Sequence, residues 1–130
     1  MKVLMLNGSP RKDGNTSIAV LDRLFYSSHF DKTMKVGASV VCARRGGCSA
    51  TFDELNKYFT ISNMPIASSQ YWNSIHGRAQ GEAEMDEEGK QTMRVLARNM
   101  VFLMKSIALG KEKFCLLYTS DAADEEDSVD

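Results

Sequence analysis

The sequence MKVLMLNGSPRKDGNTS, residues 1–17, joins a short apolar run to a loop of small and polar residues. We interpret residues 2–6 as a buried parallel strand that ends at the Asn-Gly-Ser-Pro turn. The apolar residues that follow have helical spacing, at Ile18, Leu21 and Phe25, and predict one face of a helix. Free backbone N–H groups and the positive end of the helix dipole favour an anion where such a helix begins.

The loop between this strand and helix has the composition of a phosphate-binding site. Gly8 and Gly14 allow a ligand to approach the backbone closely, and Arg11 carries a planar guanidinium that suits phosphate. The short side chains that can hydrogen-bond there are Ser9, Asn15, Thr16 and Ser17. An ordinary tight strand–helix turn is the alternative interpretation. The loop is neither a Walker motif nor a G-x-G-x-x-G motif, because five residues separate Gly8 from Gly14 and Asn15 stands where a Walker motif has lysine.

Two further strand–helix units are predicted along the chain. The valine-rich residues 34–42 predict a second strand, and residues 43–50 a loop after it. A capping box at Thr51, with Glu54 three positions later, predicts the start of a helix. The apolar face of that helix consists of Phe52, Leu55 and Phe59.

The third unit consists of a weaker strand over residues 64–69, a long polar loop over residues 70–88 and a final helix. That helix is the clearest element, because one apolar face persists over about four turns, and we expect Gly110 to end it. Its apolar face consists of Met93, Leu96, Met100, Leu103 and Ile107. Because strand–helix alternation implies a parallel sheet covered by helices, we predict an α/β fold of about three strand–helix units.

Composition is typical of a soluble, globular domain. The 130 residues suit one domain, with 43% hydrophobic and 25% charged residues. Residues 121–130 hold six acidic groups, so the other 120 residues carry 16 basic and 11 acidic groups, a balance of +5. This mildly basic body suits an anionic ligand and lacks the strongly basic composition of a nucleic-acid binder. No apolar run approaches the ~20 residues of a membrane helix, we expect no signal peptide, and the three cysteines indicate a reducing cytoplasm.

Three loops are expected at the carboxyl ends of the predicted strands, where open α/β sheets bind their ligands. These loops span residues 8–16, 43–50 and 69–81. In the second loop, Arg44 and Arg45 can contact a phosphate or an electron-rich ring system, and Gly46 and Gly47 give access to the backbone. A solvated basic turn is the alternative.

The third loop places aromatic and imidazole side chains near the same edge. Tyr71 and Trp72 can stack on a planar cofactor or pack under the loop, and both interpretations stay open. We interpret His76 as a hydrogen-bonded loop histidine. Cys42 and Cys48 lack metal-ligand spacing, and we interpret them as reduced thiols without a metal.

Residues 1–17 resemble the N-terminus of the flavodoxin-like, NAD(P)H-dependent FMN reductase family, which includes multimeric flavodoxins and relatives of iron–sulfur flavoproteins. In that family the loop G-S-P-R-x-x-G-N-T-S wraps the FMN phosphate. The positions that match are Gly8, Ser9, Pro10, Arg11, Gly14, Asn15, Thr16 and Ser17. Residues 21–59 and 64–77 also resemble the family. Its R-R-G-G loop lies beside the flavin, and the matching residues here are Arg44, Arg45, Gly46 and Gly47.

The resemblance implies an FMN-dependent NAD(P)H oxidoreductase. The flavin would take hydride from NAD(P)H and pass electrons to a small acceptor, and no catalytic side chain is assigned. Relatives often form dimers or tetramers, which implies a homo-oligomer. We expect neither a nucleic acid nor a membrane as partner. The alternative is a non-enzymatic, truncated fragment that retains only an anion-binding strand–helix loop.

The resemblance covers residues 1–114, which we interpret as one flavodoxin-like, FMN-binding domain. A full domain of this family has five strands. The strands and the flavin-contacting loop that should follow its first helix do not occur here, so we expect an internal segment to be missing near residues 19–21. We interpret residues 115–130 as a non-native or disordered acidic tail, because residues 115–125 resemble one reading frame of a common transposase-type sequencing adapter.

Overall fold

The computed structural model of the chain describes residues 21, 23–27 and 29–114. Its regular elements are a π-helix (Arg23–Ser27), strand β1 (Val41–Ala43), helix α1 (Cys48–Ile61), strand β2 (Ser74–His76), a 3₁₀ helix (Glu82–Met85) and helix α2 (Glu87–Phe114). The predicted α/β class is confirmed for this part of the chain, with two strands in its sheet. The strand predicted at residues 2–6 lies outside the described residues.

The two strands are parallel, as strand–helix alternation predicts. Their pairing runs from Val41 opposite Ser74 to Ala43 opposite His76. Gly77 continues the ladder, because its N–H donates to the Ala43 carbonyl at 3.2 Å. Parallel strands need a crossover connection, and α1 lies within it.

The segments that carry β1 and β2 also meet at an earlier point. Gly37 forms a parallel bridge with Ile66, in which its N–H donates to the Pro65 carbonyl at 2.9 Å and its carbonyl accepts the Ala67 N–H at 2.8 Å. The bridge partner of Gly37 lies 29 positions later in the chain, whereas the partner of Val41 lies 33 positions later. The second segment therefore has four extra residues between the two contacts.

The predicted strand boundaries need correction. The strand predicted over residues 34–42 is confirmed only for Val41 and Cys42 and for the bridge at Gly37. The third strand is wrong in position, since residues 64–69 contribute a single bridge and β2 forms inside the predicted polar loop. Apolar periodicity does not reveal β2, because the residue directly before it is a buried asparagine. The side chain of Asn73 donates a hydrogen bond to the Ser39 carbonyl of the facing segment.

Helix α1 begins three residues before Thr51, so the predicted capping box is wrong. Gly47 is the residue before the first turn, and its φ of 89° is a left-handed conformation that glycine adopts without strain. The Gly47 carbonyl accepts the Thr51 N–H at 3.1 Å, which places Thr51 inside the first turn. The Gly-Gly pair therefore turns the chain into the helix earlier than the side-chain pattern predicts.

Helix α1 packs through its predicted apolar face. A Cβ at Gly37 would lie 2.7 Å from the Phe59 ring, so the backbone before β1 passes directly over that ring. The Phe25 ring lies 5.8 Å from the Phe59 ring and 5.4 Å from the Tyr58 ring. The aromatic side chains of α1 thus join the π-helix to the sheet segment.

Helix α2 is longer than predicted. It continues through Gly110 to Phe114, so the prediction that Gly110 ends it is wrong. An interior glycine costs a helix roughly 0.5–1 kcal/mol, and Lys111 and Lys113 favour the negative end of the helix dipole. The 28 residues give a length of about 42 Å. None of the helices in the described ranges combines the length and the apolar content needed to cross a membrane.

The described part of the chain has a small core. Its buried apolar residues are Val41, Ala67 and Leu96, of which Leu96 belongs to the predicted face of α2. Large apolar side chains at Phe102 and Leu109, further along α2, are exposed. The buried part of α2 is therefore its first half, which packs on β2.

Candidate functional site

The carboxyl ends of β1 and β2 form one edge, which we call the loop edge. It comprises residues 44–47, which follow β1, and residues 77–78, which follow β2. The predicted site residues of the second loop, Arg44, Arg45, Gly46 and Gly47, all lie here, and α1 begins directly after them. The structure thus brings two of the three predicted ligand loops together.

The predicted phosphate loop is not part of the described chain. The site residues Ser9, Arg11, Gly14, Asn15, Thr16 and Ser17 lie outside the described residues. Their assignment stays a prediction.

An open cleft of about 530 Å³ lies at the loop edge. The residues that line it are Arg44, His76, Gly77, Arg78, Glu82, Met85 and Asp86. Arg44 is the predicted site residue among them, while Arg45, Gly46 and Gly47 are exposed on the adjoining turn. The other lining residues belong to the end of β2, the turn after it, the 3₁₀ helix and the position before α2.

Three guanidinium groups concentrate positive charge at this edge. Arg44, Arg45 and Arg78 are exposed, and none of them forms a salt bridge with any residue in the described ranges. The Glu82 carboxylate in the cleft instead accepts the N–H groups of Arg78 at 2.7 Å and of Ala79 at 3.1 Å. Unpaired guanidinium groups are free to bind an anionic ligand.

Asp86 connects the start of α2 to the end of β2. Its Oδ1 accepts the Gly89 N–H at 2.9 Å, which caps α2, and its Oδ2 accepts the His76 N–H at 2.8 Å. These two hydrogen bonds, the one from Gly89 first, lower the pKa of the Asp86 carboxyl below its ordinary value. The same Oδ2 lies 3.8 Å from Nδ1 of the His76 ring. Asp86 therefore links the start of α2 to the end of β2 and places its carboxylate beside the imidazole.

The Cys48 thiol lies on the other side of the imidazole. The Cys48 sulfur is 3.8 Å from Nε2 of His76, within reach of an S–H···N hydrogen bond. Burial, and then the neighbouring Cys42, raises the pKa of the Cys48 thiol. Both cysteines are free thiols, and no group of three potential ligands among the described residues is arranged to hold a metal ion.

The predicted aromatic pair is exposed. Tyr71 and Trp72 are 58% and 55% exposed, with ring centroids 5.0 Å apart at an angle of 53°. Both residues lie between Ile66 and Ser74, the stretch that contains the four extra residues and that we call the insertion. The pair therefore presents apolar area to solvent on the chain segment that leads into the loop edge.

Sequence reasoning did not include Arg78, Glu82 or Asp86 in the site. A signal for Asp86 exists, because an aspartate three positions before Gly89, at the start of a helical pattern, is typical of a helix N-cap. No comparable signal marks Glu82, whose role depends on the turn that brings its carboxylate to the backbone at Arg78.

Comparison of the chain with protein-family models, with curated proteins and with solved structures finds no match.

Proposed function

We propose that the chain is an FMN-dependent NAD(P)H oxidoreductase of the flavodoxin-like class, in which the loop edge is part of the flavin site. The observation that carries the proposal is the parallel pairing of β1 and β2. This pairing brings the R-R-G-G turn and the residues after His76 to one edge. The guanidinium groups there, of Arg44, Arg45 and Arg78, form no salt bridge with any carboxylate in the described ranges.

The residues present fit a planar, anionic ligand. A guanidinium group pairs with phosphate or stacks on an electron-rich ring. A Cβ at Gly46 or Gly47 would meet no atom within 4 Å, so a ligand has open access to the backbone there. The exposed rings of Tyr71 and Trp72 offer apolar faces for stacking.

When bound, FMN would supply the redox chemistry, which is the transfer of hydride from NAD(P)H and of electrons to the acceptor. The chain binds and orients it. Arg44 and Arg45 hold negative charge at the loop edge. By the family resemblance, the residues around the phosphate are Ser9, Arg11, Gly14, Asn15, Thr16 and Ser17. The acceptor is a small molecule. We further propose a cytoplasmic location and a homo-oligomer in which exposed apolar side chains such as Phe102 become covered.

A second candidate function is anion binding without enzymatic activity. The observation that favours it is the small core, because Phe102, Leu109 and Phe114 on α2 are more than half exposed. Apolar burial contributes roughly 25 cal/mol per Å², so the small core of the described part of the chain holds the loops after β1 and β2 less firmly. Such a chain binds phosphate at the loop edge and does not position a flavin ring.

The test is oxidation of NADPH and NADH by the full chain, supplied with FMN and a quinone acceptor. We expect turnover that depends on FMN and falls about tenfold or more in the Arg44→Ala/Arg45→Ala variant, since charge-assisted hydrogen bonds contribute about 1.5–3 kcal/mol each. The matched control is Lys111→Ala/Lys113→Ala, which removes two exposed cations at the far end of α2. Absence of any FMN-dependent turnover, together with phosphate binding, would support the second candidate.

A further inference from the structure

The structure places a thiol, an imidazole and a carboxylate in a row directly beside the loop edge. Cys48 begins α1 and His76 ends β2, and 28 positions separate them in the chain. They meet because Ala43 pairs with His76, so the turn after β1 brings the start of α1 back beside the end of β2. The resulting distance between the Cys48 sulfur and Nε2 of His76 is 3.8 Å.

The carboxylate lies beside the imidazole. Asp86 Oδ2 lies 2.8 Å from the backbone nitrogen of His76 and 3.8 Å from Nδ1 of its ring. Nδ1 thus faces the carboxylate and Nε2 faces the thiol. The carboxylate is itself held by the Gly89 N–H at 2.9 Å. Nucleophile, base and orienting group in this order are the arrangement by which enzymes activate a weak nucleophile.

The thiol needs such a base. Burial raises the pKa of the Cys48 thiol, which disfavours the thiolate. Disulfide exchange requires the thiolate, and therefore a group that takes the proton as the sulfur attacks. Cys42, in the middle of β1, is exposed, and its sulfur makes no hydrogen bond to an imidazole among the described residues.

The charges beside Cys48 favour a small reagent with negative groups, because Arg44 and Arg45 are exposed on the turn that leads into α1 and form no salt bridge with any residue in the described ranges. His76 lines the adjoining cleft with Arg44 and Arg78, and the two carboxylates of that cleft, Glu82 and Asp86, accept backbone N–H groups. Cys48 does not line the cleft itself, but its partly exposed thiol adjoins it through His76. A low-molecular-weight disulfide with carboxylates suits both the access and the charge.

We propose that Cys48 is a site of reversible thiolation by a carboxylate-bearing, low-molecular-weight disulfide, with His76 as the base. The Cys48 S–H gives its proton to Nε2 of His76, and the Cys48 sulfur forms a bond to one sulfur of the disulfide. The original S–S bond breaks, and the other half leaves as a thiolate that takes the proton from His76. Cys48 is oxidised to a mixed disulfide, and one half of the reagent is reduced to a thiol.

The test uses the full chain, oxidised glutathione as the anionic reagent and cystamine as a cationic reagent of the same reacting group. Peptide mass mapping follows the adduct at each cysteine with time. We expect the adduct at Cys48 to form at least tenfold faster than at Cys42, with this preference larger for glutathione than for cystamine. Equal rates at the two cysteines, or an internal Cys42–Cys48 disulfide in place of the adduct, would overturn the proposal.

A pair of variants tests the base directly. His76→Asn should slow the adduct at Cys48 about tenfold and leave the rate at Cys42 unchanged, while Cys42→Ser should leave the rate at Cys48 unchanged. The unchanged Cys42 rate and the circular dichroism spectrum report whether the His76 variant is folded. An unaltered rate of adduct formation at Cys48 in His76→Asn would contradict the role of the imidazole. If that variant does not fold, the ratio of the Cys48 rate to the Cys42 rate in the unmodified chain decides the proposal.

Discussion

Asn73 shows how one buried side chain holds the two sheet segments together. It is 1% exposed, its Nδ2 donates to the Ser39 carbonyl at 3.0 Å, and its own carbonyl accepts the Val41 N–H at 2.9 Å. The Ser69 hydroxyl lies 2.7 Å from Asn73 Oδ1, so the amide is satisfied on both sides. Polar groups at this depth are stable only when they are hydrogen-bonded.

We expect Asn73→Ala to lower the free energy of unfolding by about 1–3 kcal/mol, because it leaves the buried Ser39 carbonyl without its donor. Urea denaturation measures the effect. Gln70→Ala, at an exposed position in the same insertion, is the control and should stay within about 0.5 kcal/mol of the unmodified chain. A loss no larger than that of the control would show that the amide does not hold the segments together.

Asp86 gives the chain an acid-dependent stability. Hydrogen bonds from the N–H groups of Gly89 and His76 lower the pKa of the Asp86 carboxyl in the folded chain. The contribution of Asp86 to the free energy of unfolding is therefore fully present above the pKa of the unfolded state, and it is lost as the pH falls through the lower pKa of the folded state. We expect stability to decline below about pH 4 and Asp86→Asn to decline less over the same range. Thermal melts at stepped pH test this, with the exposed Asp53→Asn as control. Parallel pH curves for the unmodified chain and Asp86→Asn would contradict it.

At the scale of elements, contact between α1 and the sheet segment depends on Gly37. A Cβ there would lie 2.7 Å from the Phe59 ring, whereas a Cβ at Gly46 would meet nothing within 4 Å. We expect Gly37→Ala to destabilise the fold by about 1–3 kcal/mol through overpacking and Gly46→Ala to change it by less than about 0.5 kcal/mol. Chemical denaturation of the two variants provides the comparison. Equal stabilities would mean that α1 does not pack on the segment before β1.

The predicted elements succeed where apolar periodicity governs and fail where backbone or polar groups govern. The faces of α1 and α2 could be predicted, because Phe59 packs and Leu96 is buried as their spacing indicates. The start of α1 could not, because it depends on the left-handed backbone of Gly47. The position of β2 could not, because Asn73 supplies hydrogen bonds that a strand pattern does not contain.

The candidate site was predictable in part for the same reason. Arg44 and its neighbours could be named because strand–helix alternation places the turn after β1 at the ligand edge. The Cys48–His76–Asp86 row could not, because it depends on the register between β1 and β2 and on the cap of α2. The spacing of residues along the chain indicates neither the register of the strands nor the cap of the helix.

At the scale of the whole molecule, we expect residues 115–130 to add nothing to folding. They contain six carboxylates, which repel one another, and few large apolar side chains, namely Leu116, Leu117, Tyr118 and Val129. Truncation after Phe114 should change the free energy of unfolding by less than about 0.5 kcal/mol. Calorimetry of the truncated and full chains measures it. A large loss of stability would show that this segment packs on the rest of the chain.

An equilibrium titration of the full chain with FMN tests most directly whether the loop edge belongs to a flavin site. Quenching of flavin fluorescence measures the binding. We predict poor but saturable binding of FMN, because the loop that should contact the flavin is missing near residues 19–21. Riboflavin, which lacks the phosphate, should bind more weakly still, and the FMN dissociation constant should rise about tenfold in Arg44→Ala/Arg45→Ala. Tenfold corresponds to about 1.4 kcal/mol. No saturable binding of FMN, or an unchanged dissociation constant in the variant, would contradict the account.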